Sequence, residues 1–207
     1  AAYGYQTALI EGEDSRGIDV GYLVRSDRAT ILEVQARPAP EGLFSRPPLV
    51  LHVEVETSDG QVQLYLLNNH FTSMSGGEEA TEPRRTAQAK WNVTLVEEIL
   101  QADPQALVAV IGDLNSFFVS APIQALRDGG LVHAFDAIPP AERYTYIYEG
   151  ESEVLDHILL TPAWMAMVRR VEVLHVNADY PLAAPDDTSP WHKSDHDPVV
   201  VTFVLLK

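Results

Sequence analysis

Ser194-Asp195-His196-Asp197-Pro198 stands immediately before the apolar run Val199-Val200-Val201-Thr202-Phe203-Val204-Leu205. A run of that length and composition reads as a fully buried strand, so two carboxylates and an imidazole crowd its entrance. Acids gathered there repel one another, and desolvating them is costly unless positive charge compensates. A bound divalent cation would supply that charge. The plain alternative is a polar turn, with Pro198 as the first strand residue, where its missing N–H does little harm.

The pattern recurs along the chain. Gly112-Asp113-Leu114-Asn115 follows the buried run Ala106-Leu107-Val108-Ala109-Val110-Ile111, and Leu64-Tyr65-Leu66-Leu67 runs into Asn68-Asn69-His70. Asp156 sits inside Val154-Leu155-Asp156-His157-Ile158-Leu159. Four strands therefore deliver Asp, Asn or His at or near an end. No cysteine, serine–base pair or glycine-rich phosphate loop competes with them.

Composition bounds the possibilities. The chain has 207 residues, enough for one domain with a sizeable core, and its 46% apolar content is ordinary for a globular protein. No apolar run approaches the roughly 20 residues of a membrane helix. The absence of cysteine excludes disulfides and thiolate metal sites. Acids outnumber bases 30 to 14, for a net charge of −16. A protein that grips duplex DNA through its phosphates shows a basic face. Here the substrate is small, or the few arginines cluster, or cations supply the positive field; a solvated acidic surface accounts for most of the excess.

Taken in order, Ala1 to Glu13 carries no secretory signal and resembles the middle of a domain. The compartment is not legible, and an extracytoplasmic location stays open. Residues Arg16 to Arg25 read as a strand in which Asp19, between Ile18 and Val20, is anomalous and on the mild account faces solvent. Arg37 to Pro48 reads as an exposed loop, and Leu49 to Glu56 as an alternating strand with His52 on its wet face. Ser58-Asp59-Gly60 predicts a hairpin, Val62 to Leu67 the returning strand, and His70 a position beyond its end. Thr81 is a candidate cap for a helix with Pro83 in its first turn. That helix buries Ala87, Trp91, Leu95 and Ile99 before Asp103-Pro104 stops it. A second short helix starts at Ser120 and Pro122 and closes at Gly129-Gly130. Arg143 to Tyr148 alternates aromatics onto one face. Val171 to Val176 is a further strand, with His175 structural. Asn177 to Pro190 is a polar loop that delivers Trp191, His192 and Lys193 to the mouth of a site.

The set Asn69-His70, Gly112-Asp113-Leu114-Asn115, Leu155-Asp156-His157 and Ser194-Asp195-His196-Asp197-Pro198, in this order, resembles the endonuclease/exonuclease/phosphatase superfamily, which has the deoxyribonuclease-like fold. The resemblance runs from about Asp14 to the C-terminus. It implies an α/β (α+β) fold, a four-layered α/β/β/α sandwich of two mostly antiparallel sheets flanked by helices, as a single domain over residues 1–207. It also implies metal-assisted hydrolysis of a phosphoester by in-line attack of water. His196, held by Asp156, takes the place of the general base, and His70 that of the second histidine. Asp113 would orient the water or a second metal, and Asn115 would donate to a phosphoryl oxygen. Asp195, Asp113 and Asn115 are the implied ligands of Mg²⁺ or Mn²⁺, with Ca²⁺ a further candidate. Asn69, Arg84, Tyr146 and Lys193 are candidate substrate contacts, and Asp19 a candidate partner that orients His70.

The resemblance also marks a difference. Family members begin with a strand ending in Asn and, some thirty residues later, a strand ending in Gln-Glu; this chain has neither. The N-terminal quarter of the family domain is therefore expected to be absent, with the exposed sheet edge covered by a neighbouring chain and the metal held weakly. The expected substrate is nucleic acid, from likeness to secreted bacterial nucleases in the Asn69-His70-Phe71 and Tyr146-Ile147-Tyr148 regions, or else a small phosphoester or lipid head group. A catalytically silent binding module is the third reading.

Overall fold

A computed structural model describes residues 4–205 of the chain, apart from positions 13, 15 and 59. In chain order the strands are β1 (Tyr5–Leu9), β2 (Gly21–Arg25), β3 (Ala29–Ala36), β4 (Leu49–Thr57), β5 (Gly60–His70), β6 (Leu107–Asp113), β7 (Val132–His133), β8 (Tyr146–Tyr148), β9 (Glu151–Glu153), β10 (Asp156–Leu160), β11 (Val168–Val173) and β12 (Val199–Phe203). The helices are α1 (Glu78–Ala102), α2 (Ala121–Asp128) and α3 (Pro162–Met165).

The alternating run that opens at Leu49 pairs with the strand returning from Gly60 in a tight hairpin, Thr57 opposite Gly60. From it grows a six-stranded sheet in the order β3-β4-β5-β6-β10-β7. Every pairing is antiparallel except β5 with β6, which needs a crossover; α1 supplies it. Side chains alternate across this sheet and bury both faces. Leu67, Val108, Val110 and Leu159 pack with Leu95 and Val96 of α1 and Ile123 and Leu126 of α2. Leu51, Leu64, Leu107 and Ala109 point the other way, against Ala8, Tyr22, Val168 and Phe203 from the pairs β1-β2 and β11-β12. The architecture is thus mixed α/β, with helices on one face of the large sheet and strand pairs on the other. On that second side the described helix is the four-residue α3, whose Trp164 packs edge-on against Phe203 at 5.3 Å.

Several elements depart from the expectations. Only Gly21–Arg25 of the Arg16-to-Arg25 stretch is strand, and β3 fills the segment before the proline-rich loop. β12 is half-buried rather than enclosed, because among the described residues β11 is the one strand it pairs with. Helix α1 begins at Glu78 with Gly77 as its cap; the Thr81 hydroxyl donates back to the Gly77 carbonyl at 2.7 Å. Its buried face holds Arg85, Gln88, Ala89, Asn92, Leu95 and Val96, while Ala87 is exposed. Apolar periodicity is blind to such a face, because its polar members are buried through hydrogen bonds. Asn92 and Asn69 exchange side-chain hydrogen bonds at 2.9 Å, and Gln88 donates to the Leu43 carbonyl and accepts from the Thr72 N–H. The helix thereby pins the loop that follows β5. Asp59 of the hairpin and Glu13 lie outside the described residues.

Candidate active site

Register builds the centre. β5 and β6 run side by side with His70 opposite Asp113, and β10 runs antiparallel to β6 with Asp156 opposite Asp113. Residues directly opposite in neighbouring strands share a face, so His70, Asp113 and Asp156 form one row across the sheet. His70 is the last residue of β5 and not a residue beyond it. Gly112 makes the close approach possible: its φ is +124°, and a Cβ there would meet the Asn69 carbonyl oxygen at 2.0 Å.

Past β6 the chain turns through Asn115, left-handed at φ 44°, a conformation that Asn tolerates better than most residues. Its backbone N–H donates to Asp113 Oδ1 at 2.9 Å, and its Nδ2 donates to Asp113 Oδ2 and to the Phe71 carbonyl, both at 3.2 Å. His196 comes from the loop before β12, and its Nδ1 lies 2.7 Å from Asp156 Oδ2. With Nδ1–H donating to the carboxylate, Nε2 is the nitrogen left for chemistry. Thr145, fully buried, joins these loops. Its hydroxyl accepts the N–H groups of Leu155 and Asp156 at 3.1 Å, and its carbonyl accepts from Asp197 at 2.8 Å.

A cleft of about 800 Å³ opens over this row, lined by His70, Asp113, Asn115, Tyr146 and His196. Burial disfavours charge on His70, and the nearby Arg46 and Arg16 add to it, so its pKa falls to about 4. Its Nε2 is 3.6 Å from Asp113 Oδ2, too far for a hydrogen bond. Burial and the charge of Asp156 lift Asp113 to about 6, against the hydrogen bond from Asn115. Burial opposes charge on His196, but the hydrogen bond and charge of Asp156, with Asp113 and Asp195 behind it, outweigh that and raise its pKa to about 9. One histidine is neutral and the other cationic at pH 7.

Not every expected residue reaches the cleft. Asn69 is 1% exposed and spends its amide on Asn92 and the Leu67 carbonyl, so it ties β5 to α1 and touches no substrate. Arg84 donates to the Gly42 and Leu43 carbonyls. Lys193 donates to the Asp187 carbonyl and His192 stacks on Tyr180 at 4.4 Å, and none of residues 191–193 is among those lining the cleft. Asp19 accepts from the Gly12 N–H beside a smaller cavity; the carboxylate nearest His70 is Asp113. Asp195 is exposed and acts on His196 and Tyr146 through its charge. Sequence reasoning missed Arg16, Arg46, Gln88 and Glu153 of the cleft wall, together with Thr145. Arg46, beside a proline pair in a loop, gave no signal at all.

The residues fit a hard divalent cation. Asp113 has a second carboxylate, Asp156, as its cross-strand neighbour, and no lysine or arginine is hydrogen-bonded to it among the described residues. Asp113 and the amide oxygen of Asn115 offer oxygen donors in the cleft, which would suit Mg²⁺ or Mn²⁺, while Asp195 is exposed and is not among the cleft-lining residues. A different cluster of ligand type, His175, Asp179 and Asp197, has donor atoms within 4.8 Å of one another. Its atoms are already engaged. Asp197 Oδ1 takes the N–H groups of Val176, Asn177 and Ala178, Oδ2 pairs with His175, and both Asp179 oxygens accept from the Tyr144 hydroxyl.

Residues 1–178 match the family model described as Endonuclease/Exonuclease/phosphatase family, and the chain belongs to that family. No curated protein sequence matches the chain. Among solved structures it is similar to an endonuclease/exonuclease/phosphatase family protein from Bacteroides thetaiotaomicron, at 18% identity and a TM-score of 0.68, over 96% of this chain and 72% of that one. It is similar to a mannosyl-6-phosphatase from the same organism at 17% identity and a TM-score of 0.65, over 96% and 77%. A third similar structure is D. rerio TDP2 complexed with single strand DNA product, at 23% identity and a TM-score of 0.63, over 97% and 77%. At these identities the likeness establishes the fold. No helix among the described residues is long and apolar enough to cross a membrane.

Proposed function

We propose that this chain is a divalent-metal-dependent phosphodiesterase acting on nucleic acid. The observation that carries the reading is the Asp156–His196 pair at 2.7 Å, standing in one cleft with Asp113, Asn115 and His70. Water attacks phosphorus in line with the leaving oxygen; the new P–O bond forms as the P–O bond to the leaving group breaks, the proton of the water passes to His196 Nε2, and the leaving oxygen takes up a proton from solvent. Asp156 holds that imidazole in one tautomer and stabilises its cation once it is protonated. His70, neutral at pH 7, donates a hydrogen bond to a phosphoryl oxygen instead of protonating the leaving group. Asp113, Asn115 and Asp195 would hold Mg²⁺ or Mn²⁺, which when bound neutralises charge on the phosphoryl oxygens. Tyr146, its ring 4.8 Å from that of His196, supplies a face against which a base can stack.

A phosphatase acting on a small phosphorylated ligand is the second reading, favoured by the net charge of −16. The deciding measurement is hydrolysis of bis(p-nitrophenyl) phosphate and of single-stranded DNA in Mg²⁺ or Mn²⁺. Turnover that EDTA abolishes, and that Asp113→Asn lowers by about 10²-fold or more, is the expected outcome. Activity confined to p-nitrophenyl phosphate would select the phosphatase. No activity on any of them under either metal would overturn both readings.

A further inference from the structure

Two imidazoles that the mechanism does not use are buried close to the cleft. His133 and His157 are 0% and 1% exposed, and His133 Nε2 lies 2.8 Å from His157 Nδ1. Their outer nitrogens are engaged as well. His133 Nδ1 accepts the Phe135 backbone N–H at 3.0 Å, and His157 Nε2 lies 2.7 Å from the Ser116 carbonyl oxygen. A backbone N–H can only donate and a carbonyl can only accept, so the two end groups fix both tautomers. His133 carries its hydrogen on Nε2 and donates to His157, which carries its own on Nε2 and donates to Ser116. A second proton on either ring would set two donors face to face. Burial also opposes charge there: it lowers His157 to about 4 and His133 well below the ordinary histidine range.

The chain of bonds ends where the cleft is built. Ser116 stands between Asn115 and Phe117, which both line the cleft, and its carbonyl belongs to the peptide that joins it to Phe117. Leu155-Asp156-His157 grips this turn at two points. The Leu155 carbonyl accepts the Leu114 N–H at 2.9 Å, and His157 donates to Ser116. Between the two grips, Asp156 pairs with His196. Asp156 and His157 are consecutive in β10, so they point to opposite faces, one toward His196 and the other into the interior. The Leu155 grip is backbone and any sequence could make it. The His157 grip needs a side chain, and the nitrogen it presents depends on His133. Packing alone does not ask for an imidazole at 133, since its neighbours at 4.8 and 5.1 Å are the rings of Phe118 and Phe135.

We propose that His133 and His157 are positioning residues of the active site, a one-way hydrogen-bond relay that locks the Asn115–Phe117 turn against Asp156. Neither touches the reacting atoms. The relay fixes the Ser116–Phe117 peptide and, through it, the left-handed Asn115 whose N–H and Nδ2 both donate to Asp113. The proposal rests on the phosphodiesterase reading for its effect on turnover, and on the hydrogen bonds alone for the relay.

Two substitutions at His133, a residue outside the cleft wall, separate the relay from local structure. The His133 side chain also caps the short turn Ala134–Ala137 through the Phe135 N–H. His133→Asn can keep that cap and cannot reach His157; His133→Gln places an amide donor near His157 and gives up the cap. In the unmodified chain, nitrogen NMR of the imidazoles should show one neutral tautomer for each ring, with hydrogen on Nε2. In His133→Asn the Asn115 side-chain amide signals should shift, and kcat on bis(p-nitrophenyl) phosphate should fall about 10-fold with KM within about twofold. His133→Gln should recover most of kcat and return the Asn115 signals toward their parent positions. A purely structural cap predicts the reverse order, with His133→Asn like the parent in kcat and in the Asn115 signals, and that outcome overturns the proposal. So does hydrogen on Nδ1 of His157 in the parent. Where His133→Asn does not fold by circular dichroism, His133→Gln decides, and a tenfold loss of kcat despite its donor overturns the proposal. No hydrolysis by the unmodified chain rejects the hydrolase reading, and the tautomers with the Asn115 signals then decide the relay by themselves.

Discussion

His196 and Asp197 are neighbours in sequence, and each belongs to a carboxylate–imidazole pair of nearly the same length. His196 Nδ1 meets Asp156 Oδ2 at 2.7 Å, and Asp197 Oδ2 meets His175 Nδ1 at 2.9 Å. Each imidazole lies beside a tyrosine of one short segment, Tyr146 at 4.8 Å from His196 and Tyr144 at 4.0 Å from His175. The pairs nonetheless do different work. The Asp197 side chain is wholly buried and takes three backbone N–H groups on its other oxygen, so it fixes the course of residues 176–178. Asp156 stands at the open end of β10 beside Asp113, and its histidine lines the cleft. The same chemical motif serves as a fastener where the carboxylate is consumed by backbone, and faces the cleft where it holds His196.

The largest effects should separate the two pairs. His196→Ala should lower turnover by about 10²–10⁴-fold while the protein stays folded. Asp197→Ala strands three backbone donors in the interior and should cost about 3 kcal/mol or more of stability, while the folded fraction keeps its activity. Denaturant unfolding and single-turnover rates on the same two preparations check both halves. An Asp197→Ala protein that is stable but inactive would erase the distinction.

The pH profile sharpens it. A general base with a pKa of about 9 is unprotonated in about one molecule in a hundred at pH 7. Catalytic efficiency in the free enzyme should therefore climb with pH and level off near 9. Asp156 is what raises that value against burial, so Asp156→Asn should move the midpoint down toward the ordinary histidine range, besides lowering the plateau. The stability that the pair contributes is present below pH 6.5 and lost as pH rises through about 9, because the folded state holds the proton more tightly. A midpoint that stays near 9 in Asp156→Asn would remove Asp156 as its cause.

The tyrosines should give the smallest contrast. Tyr144→Phe deletes the hydroxyl that donates to Asp179 and should cost no more than about 1 kcal/mol of stability, with turnover intact. Tyr146→Phe keeps the ring beside His196 and should change turnover less than about threefold, whereas Tyr146→Ala should raise KM for single-stranded DNA, since a stacked base is worth about 1–3 kcal/mol. Titration of the two variants against one oligonucleotide would show whether the difference holds.

What the sequence determined by itself is local and repeated: a run of apolar residues that ends in Asp, Asn or His, four times in order. Hydrophobic periodicity marks each strand, and the polar residues at the strand ends, read together with the family resemblance, made His70, Asp113, Asn115 and His196 candidates that the fold then brings to one cleft. The hairpin after Thr57 and the helix Ala121–Asp128 were legible for the same kind of reason, because their turn and cap residues act within a few positions. Tertiary structure decided the rest. Register alone sets His70, Asp113 and Asp156 in one row, and a shift of one residue would turn them to the other face. The buried polar face of α1 is invisible to periodicity because its partners, Asn69, Thr72 and Leu43, lie elsewhere in the chain. Nothing local distinguishes Asp197 the fastener from Asp195 at the surface, or Arg46 in the cleft wall from Arg84 on a loop. Those differences arise from which backbone groups each side chain meets after folding, a long-range property that no window of sequence contains.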